Sequence, residues 1–263
     1  MHSPQATALL ALQCMDLTSL QNSDTPAQVT ALCDKAASEC GSPAAVCVYP
    51  ELIATARQHL DLLHLQQVQV ATVVNFPLGE DSVGCVVAAT ERALAVGASE
   101  IDVVMPYQRF QAGDVEHCRQ LLSAVRTATA DRAVLKVIIE SGELASATAI
   151  RAASNLAIEI GADFIKTSTG KVAVNATLEA AEIMLTTIRE SGRDIGFKAA
   201  GGIRTVAEAE DYFKLARALM GDDWITPQRF RIGASSLLED IMRVLVNEND
   251  QAEPVADDKK GLY

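Results

Sequence analysis

Short apolar segments recur eight times along the chain, and each is followed by a longer stretch in which alanine and leucine recur with helical spacing. The apolar segments span residues 12–17, 45–48, 68–74, 101–104, 134–139, 163–166, 195–198 and 229–232. Strands that alternate with helices pair in parallel through right-handed crossovers. Eight such units predict an α/β fold, a single-domain (β/α)8 TIM barrel, with its functional groups at the carboxyl ends of the strands. Because the first segment is only weakly apolar, a doubly wound open sheet is the alternative.

The repeats predict one domain over residues 1–246, with a helical segment at its N-terminal end, while the polar residues 247–263 are expected to form a flexible tail. A formal net charge of −12 disfavours nucleic-acid binding, which needs an excess of lysine and arginine. No apolar run approaches the length of a membrane span, and the six cysteines form no CxxC pair. We expect a cytoplasmic protein with reduced thiols that acts on small molecules and binds neither nucleic acid nor membrane.

The sixth apolar segment ends on a lysine. Because alternate residues of a strand point to opposite faces, Lys166 shares a face with Phe164 and is predicted to point into the barrel. A buried ammonium is costly unless it pairs with a carboxylate or loses its proton. A neutral lysine amine attacks carbonyl carbons, so Lys166 is a candidate nucleophile.

Other charged residues occupy neighbouring strands: Asp102 on the fourth, Lys136 on the fifth and Lys198 on the seventh. Inward side chains of several barrel strands converge, so these groups are expected to meet Lys166. A charged Lys198 and partial desolvation would both lower the pKa of Lys166. The alternative is a set of buried ion pairs with no chemistry.

Glycine and hydroxyl residues follow the last three strands. In this fold the loops after strands seven and eight often bind phosphate through backbone N–H groups. The predicted substrate-binding and phosphate-binding residues are Thr18, Lys136, Thr169, Gly170, Lys171, Gly201, Gly202, Gly233, Ser235 and Ser236.

The histidines are only His2, His59, His64 and His117, and none falls at a strand end. No metal site is therefore expected, and a serine hydrolase is disfavoured because no histidine base matches Ser235 or Ser236. Cys47 lies on the second strand, where it either packs in the core or faces an aldehyde pocket.

The sequences DFIKTSTGK (163–171), GFK (196–198), AGGIRT (200–205), EIDVV (100–104) and RIGASSLL (231–238) resemble the deoxyribose-phosphate aldolase family. The resemblance runs from about Met15 to Tyr263. It implies reversible cleavage of 2-deoxy-D-ribose 5-phosphate into D-glyceraldehyde 3-phosphate and acetaldehyde, in the catabolism of deoxyribonucleotides. A departure is Ala199, where many relatives carry proline.

The resemblance also implies roles for particular residues. Lys166 would form the Schiff base without metal or organic cofactor. Lys198 would be the lysine that perturbs Lys166, and Asp102 would be the acid that works in the proton relay. Tyr263 matches the C-terminal tyrosine that assists proton transfer in long-tailed members. The family allows a monomer or a homodimer. Two alternatives stay open from the residues alone, namely another Schiff-base lyase or transaldolase, and a non-enzymatic sugar-phosphate-binding protein.

Overall fold

The computed structural model describes residues 3–246, and Tyr263 lies outside them. Eight strands close into a parallel barrel in sequence order, because β8 pairs with β1. The strands are β1 (Met15–Thr18), β2 (Ala45–Val48), β3 (Gln69–Val74), β4 (Glu100–Val104), β5 (Val134–Ile138), β6 (Phe164–Lys166), β7 (Gly196–Ala200) and β8 (Phe230–Ala234). The predicted (β/α)8 barrel is confirmed, and the open sheet is wrong.

Helices cover the outside of the barrel. They are α1 (Pro4–Gln13), α2 (Pro26–Ala36), α3 (Ile53–Leu62), α4 (Val83–Ala95), α5 (Tyr107–Gln111), α6 (Val115–Thr129), α7 (Ser141–Leu144), α8 (Ala147–Glu159), α9 (Leu178–Ser191), α10 (Val206–Met220) and α11 (Leu237–Val246). Local sequence signals set several boundaries. Thr25 and Thr205 form capping boxes with Gln28 and Glu208 at the starts of α2 and α10, and Gly192 ends α9 in the left-handed conformation.

The first strand differs from its prediction. The segment 12–17 was expected to be one strand, but Leu12 and Gln13 belong to the end of α1 and the strand begins only at Met15. Leu12 is buried because α1 packs against α10 and α11, so its apolar character reflects helix packing. The strands β7 and β8 each extend two residues beyond the predicted ends, so Gly233 lies in a strand and not in a loop.

Strand register decides which side chains meet inside the barrel. Lys166 is the direct register partner of Lys198, and Asp102 is the partner of Lys136. Arg231 follows on β8 as the partner of Lys198. Neighbouring partners in a parallel sheet point to the same face, so these long polar side chains all enter the barrel interior.

Candidate active site

A cavity of about 220 Å³ opens at the carboxyl ends of β1, β6, β7 and β8. Ten of the sequence-predicted site residues line it: Thr18, Lys166, Thr169, Gly170, Lys171, Gly201, Gly202, Gly233, Ser235 and Ser236. Six more residues complete its wall: Leu20, Gln21, Ala200, Ile203, Arg204 and Ala234. The cavity therefore lies where the barrel prediction placed the functional groups.

Lys166 forms part of the cavity floor. Its exposed fraction is only 3%, while Lys136 and Lys198 are at 0%. Lys166 lines the cavity, whereas the other two lysines lie beneath the floor. Of these three amines, Lys166 is the one that a molecule in the cavity can touch.

One carboxylate joins the three lysines. Asp102 accepts hydrogen bonds from Lys136 through Oδ1 at 2.8 Å, and through Oδ2 from Lys166 at 2.8 Å and Lys198 at 2.7 Å. The expected meeting of Asp102, Lys166 and Lys198 is thus present in the geometry. Because Lys166 and Lys198 share one oxygen, their ammonium groups would lie side by side.

The pKa values of the two lysines shift in opposite directions. Burial lowers the pKa of Lys166, and the charge of Lys198 lowers it further, although Asp102 acts in the opposite direction. Burial also acts to lower the pKa of Lys198, but the carboxylates of Asp102 and Asp16 outweigh it and hold that pKa above its ordinary value. Lys198 therefore keeps its proton where Lys166 can lose one.

Lys136 is predicted above to bind substrate, but it lies below the cavity. On β5 it is Ile138, two residues further along, that pairs in register with Lys166. Lys136 is fully buried and does not line the cavity, and its ammonium donates to Glu100 and Asp102. This position corrects the prediction of direct contact with substrate.

Three further charged residues of the site, Asp16, Glu100 and Arg231, were not predicted from the sequence. All three are buried, and Arg231 donates to both carboxylates. Asp16 accepts in turn from Lys198. A signal was present, since each is a charged residue inside an apolar strand.

The loop after β6 forms one side of the cavity. Lys171 donates through Nζ to the backbone oxygen of Leu20 at 2.6 Å, which ties this loop to the segment after β1. The backbone N–H of Thr169 donates to both oxygens of the buried Glu140, at 3.1 and 3.3 Å. Burial raises the pKa of Glu140. The loop is therefore fixed from below by a carboxylate and from the side by a lysine.

The opposite side of the cavity is suited to an anion. Gly201 and Gly202 have φ values of +84° and +93°, which favour glycine, and their backbone lines the cavity. Ser235 and Ser236 come directly before α11, so the free N–H groups of its first turn and its dipole face this end. Together with Lys171, these groups can bind a phosphate.

Cys47 lies inside the barrel with Ala45, Ala71 and Val73, is fully buried and does not line the cavity. Burial raises the pKa of its thiol. Between residues 3 and 246, no three His, Cys, Asp or Glu side chains are grouped so that they could hold a metal ion. In the same range no helix is long and apolar enough to cross a membrane.

Comparisons with known proteins agree on one family. The model of the DeoC/LacD family aldolases matches residues 10–241. Over 242 residues the chain is 50% identical to the deoxyribose-phosphate aldolase of Agrobacterium fabrum, covering 92% of this chain and 93% of the relative.

Solved structures give the same result. A Toxoplasma gondii ME49 protein assigned as a deoxyribose-phosphate aldolase is 27% identical, with a TM-score of 0.86 over 92% of this chain and 95% of that one. The deoxyribose phosphate aldolase of Aeropyrum pernix, described as tetrameric, is 25% identical, with a TM-score of 0.72 over 96% of this chain and 94% of that one.

Proposed function

The chain belongs to the DeoC/LacD family of aldolases, which are lyases, and from this premise we propose that it reversibly cleaves 2-deoxy-D-ribose 5-phosphate to D-glyceraldehyde 3-phosphate and acetaldehyde through a Schiff base on Lys166. The observation that carries the proposal is the position of Lys166. It is the cavity-lining member of a buried lysine group, and its pKa is lowered while that of Lys198 is raised.

In the cleavage direction, the neutral Nζ of Lys166 attacks the aldehyde carbon C1 of the open-chain sugar. Loss of water gives an iminium, which accepts the electron pair of the breaking C2–C3 bond. The C3 hydroxyl loses its proton as the new aldehyde forms, and glyceraldehyde 3-phosphate leaves. The remaining enamine takes a proton on carbon, and water releases acetaldehyde and the free amine.

Proton transfers in this scheme need a group near Lys166. Asp102 is within hydrogen-bond distance of the Lys166 amine, and the three lysines hold its pKa well below the ordinary range, although burial opposes them. It therefore stays an anion and acts on the proton through a water molecule or through Lys198. We assign to Tyr263 the proton exchange at the acetaldehyde methyl carbon, as the family resemblance implies.

The phosphate of the substrate would lie against Gly201, Gly202, Ser235 and Ser236, with Lys171 beside it. Binding energy at this remote end orients the reacting carbon over Lys166. A dephosphorylated sugar should therefore react poorly. We assign the reaction to deoxyribose phosphate breakdown, and a homodimer stays a prediction.

The direct test incubates the protein with deoxyribose 5-phosphate and follows glyceraldehyde 3-phosphate with a coupled dehydrogenase. Lys166→Met should abolish the product. Lys214→Met, which removes an exposed lysine paired with Asp211 on α10, is the matched control and should keep full activity. Cleavage of a different sugar phosphate would favour another lyase, and binding without turnover would favour the non-enzymatic alternative.

Deletion of Tyr263 tests its role separately. It should slow hydrogen exchange at the methyl group of acetaldehyde while Schiff-base formation continues. Unchanged exchange would remove Tyr263 from the mechanism.

A further inference from the structure

A second layer of charged side chains lies below the three lysines. The guanidinium of Arg231 donates to Asp16 at 2.6 Å and to Glu100 at 2.8 Å, and it also donates to the backbone oxygen of Pro227. The Cζ atom of Arg231 lies 5.6 Å from the ring centroid of Phe164. Arg231 thus contacts both carboxylates, and none of these three side chains lines the cavity.

The two layers form one buried cluster, which we call the barrel charge cluster. It contains four basic side chains and three acidic ones: Lys136, Lys166, Lys198 and Arg231, with Asp16, Glu100 and Asp102. An uncompensated charge is costly inside a protein. The cluster is neutral only when one of its four basic groups lacks a proton.

We propose that Arg231 is a positioning residue that acts through Asp16 and Glu100 to fix the net charge of the barrel charge cluster, so that Lys166 is the amine that gives up its proton. Arg231 supplies the fourth positive charge and cannot itself be deprotonated in a protein. Without it, three lysines would balance three carboxylates, and Lys166 would be charged. The catalytic meaning of this charge state rests on the proposed function, but the charge state itself does not.

The contacts explain why Lys166 is the neutral member. Lys198 contacts Asp16 and Asp102, and Lys136 contacts those two and Glu100. Within the described part of the chain, Lys166 forms an ion pair with Asp102 alone, through an oxygen that it shares with Lys198. Of the three amines, Lys166 is therefore the one whose ammonium form is least stabilised by carboxylates.

Among residues 3–246, two further titratable groups act on Lys166 besides the cluster. Cys47 on β2 is a neutral thiol, since burial raises its pKa. Glu140, which follows β5, is the other, and burial raises its pKa as well. The Glu140→Gln variant serves as a control, because it lacks the titrating carboxyl group of Glu140. A pH dependence of the methylation rate that persists in this variant belongs to Lys166.

Besides the Glu140→Gln control, the test uses four variants of the full-length protein: Arg231→Met, Arg231→Lys, Glu100→Gln and the double variant R231M/E100Q. The measurement is the rate at which Lys166 is reductively methylated by formaldehyde and cyanoborohydride across a range of pH, read from its peptide by mass spectrometry. This reaction needs only a free amine. The exposed Lys214 gives an internal standard for the reagent at each pH.

Arg231→Met and Glu100→Gln should change the methylation rate in opposite directions. At pH values below the pKa of Lys166, Arg231→Met should slow methylation of Lys166 by about tenfold, and Glu100→Gln should accelerate it by about tenfold. This is the effect expected of one charge at roughly 10 Å in a protein interior. Arg231→Lys keeps the charge and should stay near wild type. The double variant removes one charge of each sign and should return to within about threefold of wild type.

A purely structural role for Arg231 predicts a different pattern. Both single changes would then act in the same direction or not at all, and the double variant would be worse than either. That result in folded variants, checked by circular dichroism, would overturn the proposal. If Arg231→Met does not fold, the acceleration in Glu100→Gln and the behaviour of Arg231→Lys decide it.

The proposed function can fail separately. If the wild-type protein does not cleave deoxyribose 5-phosphate but its variants show the predicted methylation rates, the charge argument stands and the substrate is wrong. If cleavage occurs and the methylation rates of the variants equal that of the wild type, the proposed function stands and the proposed role of Arg231 is wrong.

Discussion

Replacing Lys198 by methionine should raise the pKa of Lys166 and thereby suppress its reaction at neutral pH. The change keeps an unbranched side chain in a position that is completely buried. It removes the positive charge that lies beside Lys166 on the shared oxygen of Asp102. It also leaves that oxygen to Lys166 alone, which stabilises the ammonium form further.

The size of the effect follows from the geometry. The two Nζ atoms lie 2.8 and 2.7 Å from the same oxygen of Asp102. They are therefore at most ~5.5 Å apart, and at an effective dielectric constant of ~20 two charges at this distance repel by ~3 kcal/mol. This corresponds to a change of about 100-fold in the ratio of neutral amine to ammonium.

The assay is the rate of Schiff-base trapping with acetaldehyde and cyanoborohydride as a function of pH, relative to wild type. Lys198→Met should trap about 100-fold more slowly at neutral pH and recover about tenfold for each unit of rising pH, because only the neutral amine reacts. Lys198→Arg, which keeps the charge, is the matched control. A folded Lys198→Met protein with the wild-type pH profile would refute the reasoning.

Two further predictions concern the walls of the cavity. Glu140→Ala leaves the N–H of Thr169 without its acceptor and should raise KM for deoxyribose 5-phosphate by about tenfold. Glu140→Gln keeps an acceptor and should raise it much less, so equal KM values for the two variants would contradict this role. Gly201→Ala would put a Cβ 2.7 Å from the side chain of Asn175, whereas at Gly202 a Cβ meets nothing within 4 Å. Both positions have positive φ, so Gly201→Ala should lower Tm more than Gly202→Ala by the equivalent of ~1–3 kcal/mol of overpacking, and equal losses in thermal unfolding would argue against it.

The repeat of apolar segments was sufficient to predict the barrel, because each strand and helix is specified by its own local pattern. Lys166 could also be predicted, since a lysine that ends a buried strand is rare. The approach of Asp102 to the lysines could be predicted as well, but which of its two oxygens each lysine contacts could not, because that depends on the register of β4 against its neighbours. Which oxygen each lysine contacts is therefore a property of the assembled barrel.

The first strand shows the limit most clearly. Asp16 lies in a segment that also contains the end of α1, so its strand was short and its charge looked like a break in a weak pattern. Its partners, Lys198 and Arg231, come from β7 and β8, at the far end of the sequence. Only closure of the barrel through β8 and β1 brings them together.

Covalent attachment of the aldehyde to Lys166 is the central requirement of the proposed mechanism. The protein is incubated with acetaldehyde, reduced with borohydride and digested, and the lysine-containing peptides are compared by mass spectrometry. We expect one added ethyl group on Lys166 at stoichiometric yield, with Lys136 and Lys198 unmodified. An unmodified Lys166 peptide, or preferential labelling of Lys198, would contradict it.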